Sequence, residues 1–248
     1  MSNKKKQKNH YEQEKAVRRK QRQIVVISTA LVIILLVAII GIVLKTQQSS
    51  QPNENQNNQS SQETPSINYK EQPIMGSTDA PVKLVEFGDY RCPYCKEFDE
   101  KIVPKIKKDF IDNGKVSFTF INYTILGKGS QLAANAAEMI YHQYPDSFWD
   151  FHKALYAAQG DEKKEWVTKD LLTSIAKKTV PSLDEKNYKQ TLDDLSYQNN
   201  VIQDYNLAKS MKVKVVPSLF IDGKLVNNPL DYHIVKEAIN NALKQGNE

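Results

Sequence analysis

Cys92 and Cys95 are separated by Pro93 and Tyr94, and they are the only two cysteines in the chain of 248 residues. A pair at this spacing can be half of a zinc site, a structural disulfide or a redox-active dithiol. A zinc site would need further ligands from His10, His142, His152 and His233, which form no close pairs in sequence. A disulfide closing so short a loop constrains the unfolded chain little and would stabilise weakly. Position favours the dithiol. Val82-Lys83-Leu84-Val85-Glu86-Phe87 reads as a mostly apolar strand, buried on both faces. Beyond the cysteines, Phe98, Ile102, Ile106 and Phe110 recur at the spacing of a helix face. The pair therefore falls between a buried strand and the first turn of a helix.

That first turn carries free backbone N–H groups and a partial positive charge. Cys92, at or just before it, is expected to titrate below the free-thiol value of ~8.5. Only the reduced form contains that thiolate, so its stabilisation makes the disulfide more oxidising. Pro93, at the first helical position, has no N–H to lose and pre-sets the helical φ. Cys95, one turn in, is expected to be less exposed and to act as the resolving thiol. Arg91 is read as an exposed residue adding at most a little positive charge. In the implied reaction a substrate thiolate attacks Cys92 and forms a mixed disulfide. A second substrate thiol then displaces Cys92. The protein ends reduced and requires an electron acceptor. No metal or other cofactor is expected at the site.

Two more residues can join this chemistry. A Val216–Pro217 bond in cis, opposite the active-site turn, would present backbone groups to an extended substrate; the alternative is a trans proline starting a strand. Glu86 is either a buried carboxyl exchanging a proton with Cys95 or an exposed residue at a strand end. His142, His152 and His233 are expected on helix surfaces or packed structurally, and Phe148, Trp149 and Phe151 in the core.

The elements that must position these groups follow from pattern. Residues Val116 to Asn122 alternate apolar and polar and read as a second strand, parallel to the first with a right-handed crossover. Pro104 should kink the intervening helix. From Ser130 to about Met211 the pattern is helical, with Ser182 and Glu185 placed as a capping box. This stretch far exceeds the dozen or so residues that a crossover needs, so it is an inserted helical block. Residues Val213 to Ile221 are β-rich, Asp222-Gly223 is a two-residue hairpin turn, and Lys224-Leu225-Val226 returns as its partner. Asp231 is expected to cap a last helix burying Ile234, Ala238 and Leu243.

Charge is distributed unevenly. The net charge is +5, yet residues 1–22 hold nine basic and two acidic residues, which leaves the rest of the chain slightly acidic at −2. Next, Ile24 to Leu44 carries no charge. A helix of that length at ~1.5 Å per residue spans the ~30 Å hydrocarbon core. A cleaved signal peptide would have a shorter apolar region, ~7–15 residues, followed by small residues. An uncleaved anchor is therefore expected, with the N-terminus cytoplasmic and the bulk of the chain outside. The basic tail is read as an orientation signal in contact with anionic lipid, not as a nucleic-acid site. Gln47 to Pro65 is nearly all Gln, Asn and Ser and buries nothing, which makes it a disordered tether. The expected organisation is a basic tail at 1–23, an anchor at 24–44, a polar linker at 45–68 and an α/β domain at 69–248, with the helical insertion at about 125–212. Hydrophobic residues at 40% and charged ones at 25% suit a globular domain.

Val85-Glu86-Phe87 followed by Cys92-Pro93-Tyr94-Cys95, the helical insertion, and Val216-Pro217 with Phe220-Ile221-Asp222-Gly223 resemble the DsbA-like thiol–disulfide oxidoreductases, in particular their membrane-anchored Gram-positive branch. The resemblance covers about residues 69–246. It implies a thioredoxin fold with a helical insertion, Cys92 as nucleophile, Cys95 as resolving thiol, Pro217 in cis and Glu86 as the acid beneath the site. It also implies an extracytoplasmic oxidase that introduces disulfides into secreted or surface proteins and passes electrons to a DsbB-like, quinone-linked membrane protein. One departure stands out. Pro93-Tyr94 is the dipeptide typical of glutaredoxins, and Tyr94 cannot add the positive charge that a histidine there would. A tethered reductase of the same fold, or a binding module or chaperone that uses the cysteines as a redox sensor, are the competing functions.

Overall fold

The computed structural model describes residues 67–246, so the basic tail, the apolar run 24–44 and nearly all of the linker lie outside the described residues. Among the described residues no helix is long and apolar enough to cross a membrane. The chain forms β1 (Ile74–Met75), β2 (Val82–Gly88), α1 (Pro93–Lys101), α2 (Val103–Ile106) and β3 (Val116–Asn122). Five helices follow: α3 (Lys128–Gln143), α4 (Phe148–Ala157), α5 (Lys169–Thr179), α6 (Glu185–Asp194) and α7 (Gln198–Ser210). The chain then closes with β4 (Ser218–Ile221), β5 (Lys224–Leu225) and α8 (Tyr232–Gln245). The sheet order is β1-β3-β2-β4-β5. Strands β2 and β3 pair in parallel, as expected of a strand–helix–strand unit, and the other pairs are antiparallel.

The central strand β2 is flanked on both edges, with Glu86 opposite Phe120 of β3 and Leu219 of β4. Its apolar composition suits that position, because helices cover both faces of the sheet. Strand β3 forms as expected, and although its residues alternate apolar and polar in sequence all seven are buried. Phe118 packs with Phe98, Ile106 and Val235 on one side. On the other, Ile121 packs with Ala208 of the inserted block. The polar Ser117 and Thr119 are buried as well, which an alternation pattern does not reveal.

Pro104 ends a helix as well as bending it. Helix α1 stops at Lys101, a new helix begins with Pro104 in its first turn, and a π turn spans Lys107–Ile111. A proline lacks the N–H that an uninterrupted helix would use. Phe98, Ile102, Ile106 and Phe110 are nonetheless all buried. At α6 the cap is Asp184, whose carboxylate accepts the Asn187 N–H at 3.0 Å, not Ser182. Residues 213–217 lie outside the strand that follows. The hairpin turn is as expected, with Asp222 and Gly223 both at positive φ. Asp231 caps α8 by accepting the His233 N–H at 2.9 Å. The buried face of α8 is Val235 and Ile239, while Ile234 is 38% exposed.

A polar cross-link ties the inserted block to the end of β3. Asn122 donates its backbone N–H at 3.0 Å and its amide at 3.1 Å to Asp204, and the same amide reaches Glu138 at 2.7 Å. Gln72 donates to Asp204 at 2.7 Å. Burial, then the charge of Glu138, pushes the Asp204 carboxyl up to about 7.

Candidate active site

Cys92 is the N-cap of α1 and Pro93 opens the helix. The turn is set by the Cys92 N–H donating to the Asp89 carbonyl at 2.9 Å, and the helix begins with Lys96 N–H donating to the Cys92 carbonyl at 3.1 Å. Asp89 organises the loop. Its carboxylate accepts the N–H groups of Arg91 at 2.8 Å, Ile125 at 2.9 Å and Leu126 at 3.0 Å, which joins the turn to the segment after β3. Gln159, just beyond α4, clamps the same turn by donating to the carbonyls of Tyr90 at 2.9 Å and Cys92 at 3.1 Å.

The two thiols are free and buried, Cys95 completely and Cys92 with 4% of its surface exposed. Cys92 makes no formal cap hydrogen bond through its side chain. The Cys95 thiol and the N–H groups of Cys95 and Tyr94 nonetheless favour its thiolate against the cost of burial, and its pKa falls to about 7. Against the free-thiol value of ~8.5 that is about 2 kcal/mol in favour of thiolate over thiol. Cys95 moves the other way. Burial pushes it well up, and hydrogen bonding to Cys92 and the charge of Glu86 add to this. At neutral pH one sulfur is ready to attack or leave and the other holds its proton.

Val216 and Pro217 face the pair. The Val216–Pro217 peptide is cis, and the Cys92 thiol donates to the Val216 carbonyl at 3.4 Å. Around this contact Tyr94 is 60% and Val215 64% exposed, so apolar surface flanks the nucleophile. Glu86 is fully buried in β2, and neither of its carboxyl oxygens has a hydrogen-bond partner among the described residues. Burial pushes its pKa well up, with the charges of Asp99 and Cys92 adding to the shift. Gly88 makes this packing possible, because a Cβ there would lie 2.4 Å from the Phe120 ring and 3.0 Å from a Glu86 oxygen.

Arg91 departs from its expected exposure, while Gln159 and His152, the latter packed structurally as one of its two expected placements, complete the surroundings of the site. Arg91 is buried, and its guanidinium donates to the carbonyls of Leu126 at 2.6 Å and Lys164 at 3.0 Å and pairs with Glu165 at 3.4 Å. It fastens loops and is not an exposed cation beside Cys92. Gln159 gave no signal in the sequence, because a glutamine in a polar loop looks like any other. His152 is 1% exposed and reaches two residues of the active-site region. Its only sequence signal was its place among Phe148, Phe151 and Tyr156.

The thioredoxin family model matches residues 68–241. The chain is 46% identical over 180 residues to disulfide bond formation protein D of Bacillus subtilis, which covers 73% of this chain and 80% of that protein. It is 41% identical over 177 residues to a probable disulfide bond formation protein D of Bacillus cereus, covering 71% and 81% respectively. The crystal structure of oxidised BdbD from Bacillus subtilis superposes with a TM-score of 0.70 at 45% identity, over 73% of this chain and 96% of that one. DsbA of Chlamydia trachomatis shares the fold, with a TM-score of 0.66 at 19% identity over 79% of this chain and 98% of that one.

Proposed function

Because the chain belongs to the thioredoxin family, alongside the disulfide bond formation proteins, we propose that Cys92 and Cys95 are the redox couple by which it works. The protein is a thiol–disulfide oxidoreductase that introduces disulfide bonds. In the oxidised state a client thiolate attacks Cys92 Sγ, the Cys92–Cys95 bond breaks, and Cys95 leaves as a thiolate that takes a proton from Glu86. A second client thiolate then attacks the client sulfur of the mixed disulfide and expels Cys92, a good leaving group because of its lowered pKa. The client is oxidised by two electrons and the dithiol is reduced. The contact between Cys92 Sγ and the Val216 carbonyl carries this reading, because the segment that would pair with a client backbone lies against the sulfur that it must reach. Pro93 and Tyr94 are exposed beside the same contact.

The reduced enzyme needs an acceptor, which we take to be a DsbB-like, quinone-linked membrane oxidase. The clients are unfolded secreted or surface proteins. The uncharged run 24–44 behind a basic tail supports a single-pass anchor with the catalytic domain outside the cell membrane. Oxidation of a reduced, unfolded protein substrate by stoichiometric oxidised enzyme tests the assignment. The native chain should form client disulfides and Cys92→Ser should form none. Activity retained in Cys92→Ser would remove Cys92 from the reaction.

A further inference from the structure

His152 is the residue of the inserted block that reaches the buried Asp99 of α1. It lies on α4, 1% exposed. Its Nε2 faces Asp99 Oδ1 at 3.4 Å, and its Nδ1 is 2.9 Å from the Tyr90 hydroxyl. Asp99 lies on α1 four residues after Cys95, so the two share one face of that helix, and its charge acts on Glu86. Tyr90 is two residues before Cys92 and is itself buried. Among the described residues the remaining titratable neighbour of the imidazole is Tyr156 on its own helix, whose hydroxyl is buried with no hydrogen-bond partner there. The aromatic neighbours Phe120, Phe148 and Trp149 carry no charge. Glu138 of α3 and Asp204 of α7 act on Tyr90 from further away.

The geometry points to His152 as a positioning residue for the proton step at Cys95: it supplies the counter-charge to Asp99 and so sets the pH at which Glu86 can accept the Cys95 proton. This inference rests on the proposed roles of Cys95 and Glu86. Two carboxyls buried beside each other cannot both ionise without a compensating cation. Among the described residues, His152 makes the one ion-pair contact of Asp99. The Tyr90 hydroxyl can accept a hydrogen bond from a protonated Nδ1, while Nε2 makes no hydrogen bond among the described residues and has the Asp99 carboxylate as its ionic neighbour.

The step concerned is closure of the disulfide when the reduced enzyme is reoxidised. Cys92 is joined to a partner sulfur. Cys95 transfers its proton to the Glu86 carboxylate and its sulfur attacks Cys92 Sγ. The Cys92–Cys95 bond forms, the bond to the partner sulfur breaks, and the partner leaves as a thiolate. Cys95 is oxidised and the partner sulfur reduced. Glu86, now protonated, returns its proton to solvent before the next cycle. A cation beside Asp99 makes the Glu86 carboxylate available at lower pH.

The test uses the reduced protein mixed with glutathione disulfide, following release of the second glutathione against pH. His152→Gln, which keeps the hydrogen-bonding size but not the charge, should move the midpoint of the profile to higher pH. Asp99→Asn should move it to lower pH, and in a Glu86→Gln background His152→Gln should add nothing. Tyr90→Phe provides a second variant if His152→Gln does not fold, and should shift the midpoint in the same direction as His152→Gln. An unchanged midpoint in folded His152→Gln, with Glu86→Gln shifting it, would overturn the role of His152 and leave that of Glu86 standing. Equal shifts in both backgrounds would also overturn it, since His152 would then act independently of Glu86. No shift in either single variant would remove the Glu86 assignment and this inference with it.

Discussion

Cys92 Sγ lies 3.4 Å from the carbonyl oxygen of Val216, although the two residues are 124 positions apart in the chain. The helical block intervenes in sequence, yet the sheet places β2 and β4 side by side, with Phe87 opposite Ser218. The nucleophile and the proposed client-binding segment therefore leave adjacent strand ends. The consequences of this arrangement are open to measurement.

Alkylation of Cys92 should show a midpoint near pH 7, following its lowered pKa. The group is an acid whose folded pKa is depressed, so its contribution to the stability of the reduced protein is full above the free-thiol value. It is lost as pH falls through about 7. A midpoint at or above the free-thiol ~8.5 would remove the helix-terminus argument.

Replacing Cys95 with alanine leaves a nucleophile with no resolving partner. Cys95→Ala should accumulate mixed disulfides between Cys92 and client proteins, visible as adducts on non-reducing gels and absent after reduction. A gel without adducts would speak against exchange through Cys92.

Glu86→Gln should flatten the pH dependence of stability. The carboxyl is fully buried with a raised pKa, so its favourable contribution is complete below the ordinary carboxyl value, about 4.3, and is lost as pH rises through the folded value. Denaturant midpoints of the native protein should therefore fall from mildly acidic to alkaline pH, and those of the variant should fall less. Parallel curves for the two proteins would mean that Glu86 does not hold its proton in the fold.

Tyr94→His tests how far the dipeptide tunes the couple. A cation at this exposed position beside Cys92 should lower its pKa further. For a thiol that titrates near 7, another unit of depression stabilises the reduced form by about 1 kcal/mol at pH 7, which raises the potential by about 20 mV. An unchanged potential would show that residue 94 does not act electrostatically.

Much of this site could be read from the sequence because its signals are local. A strand, a turn and Cys-Pro-Tyr-Cys at a helix start fix the placement of both thiols within about a dozen residues. Pro217 was legible through its β-rich context, and Glu86 proves buried in β2 where the sequence left burial and exposure both open. The residues that stayed hidden act across the chain. Arg91 is enclosed by carbonyls from 35 and 73 positions away, and Gln159 reaches back 69 positions to Tyr90. His152 meets Tyr90 from 62 positions away. No periodicity encodes such contacts, because the packing of the inserted helices against the sheet creates them. Ser117 and Thr119 are buried as well, although β3 alternates apolar and polar residues in the sequence.

Whether this dithiol drives oxidation is decided by the reduction potential of the Cys92–Cys95 couple at pH 7. The expected value lies well above the ~−270 mV of thioredoxin, toward the ~−120 mV of DsbA. A value at or below ~−270 mV would make the couple a reductant and overturn its assignment as an oxidase.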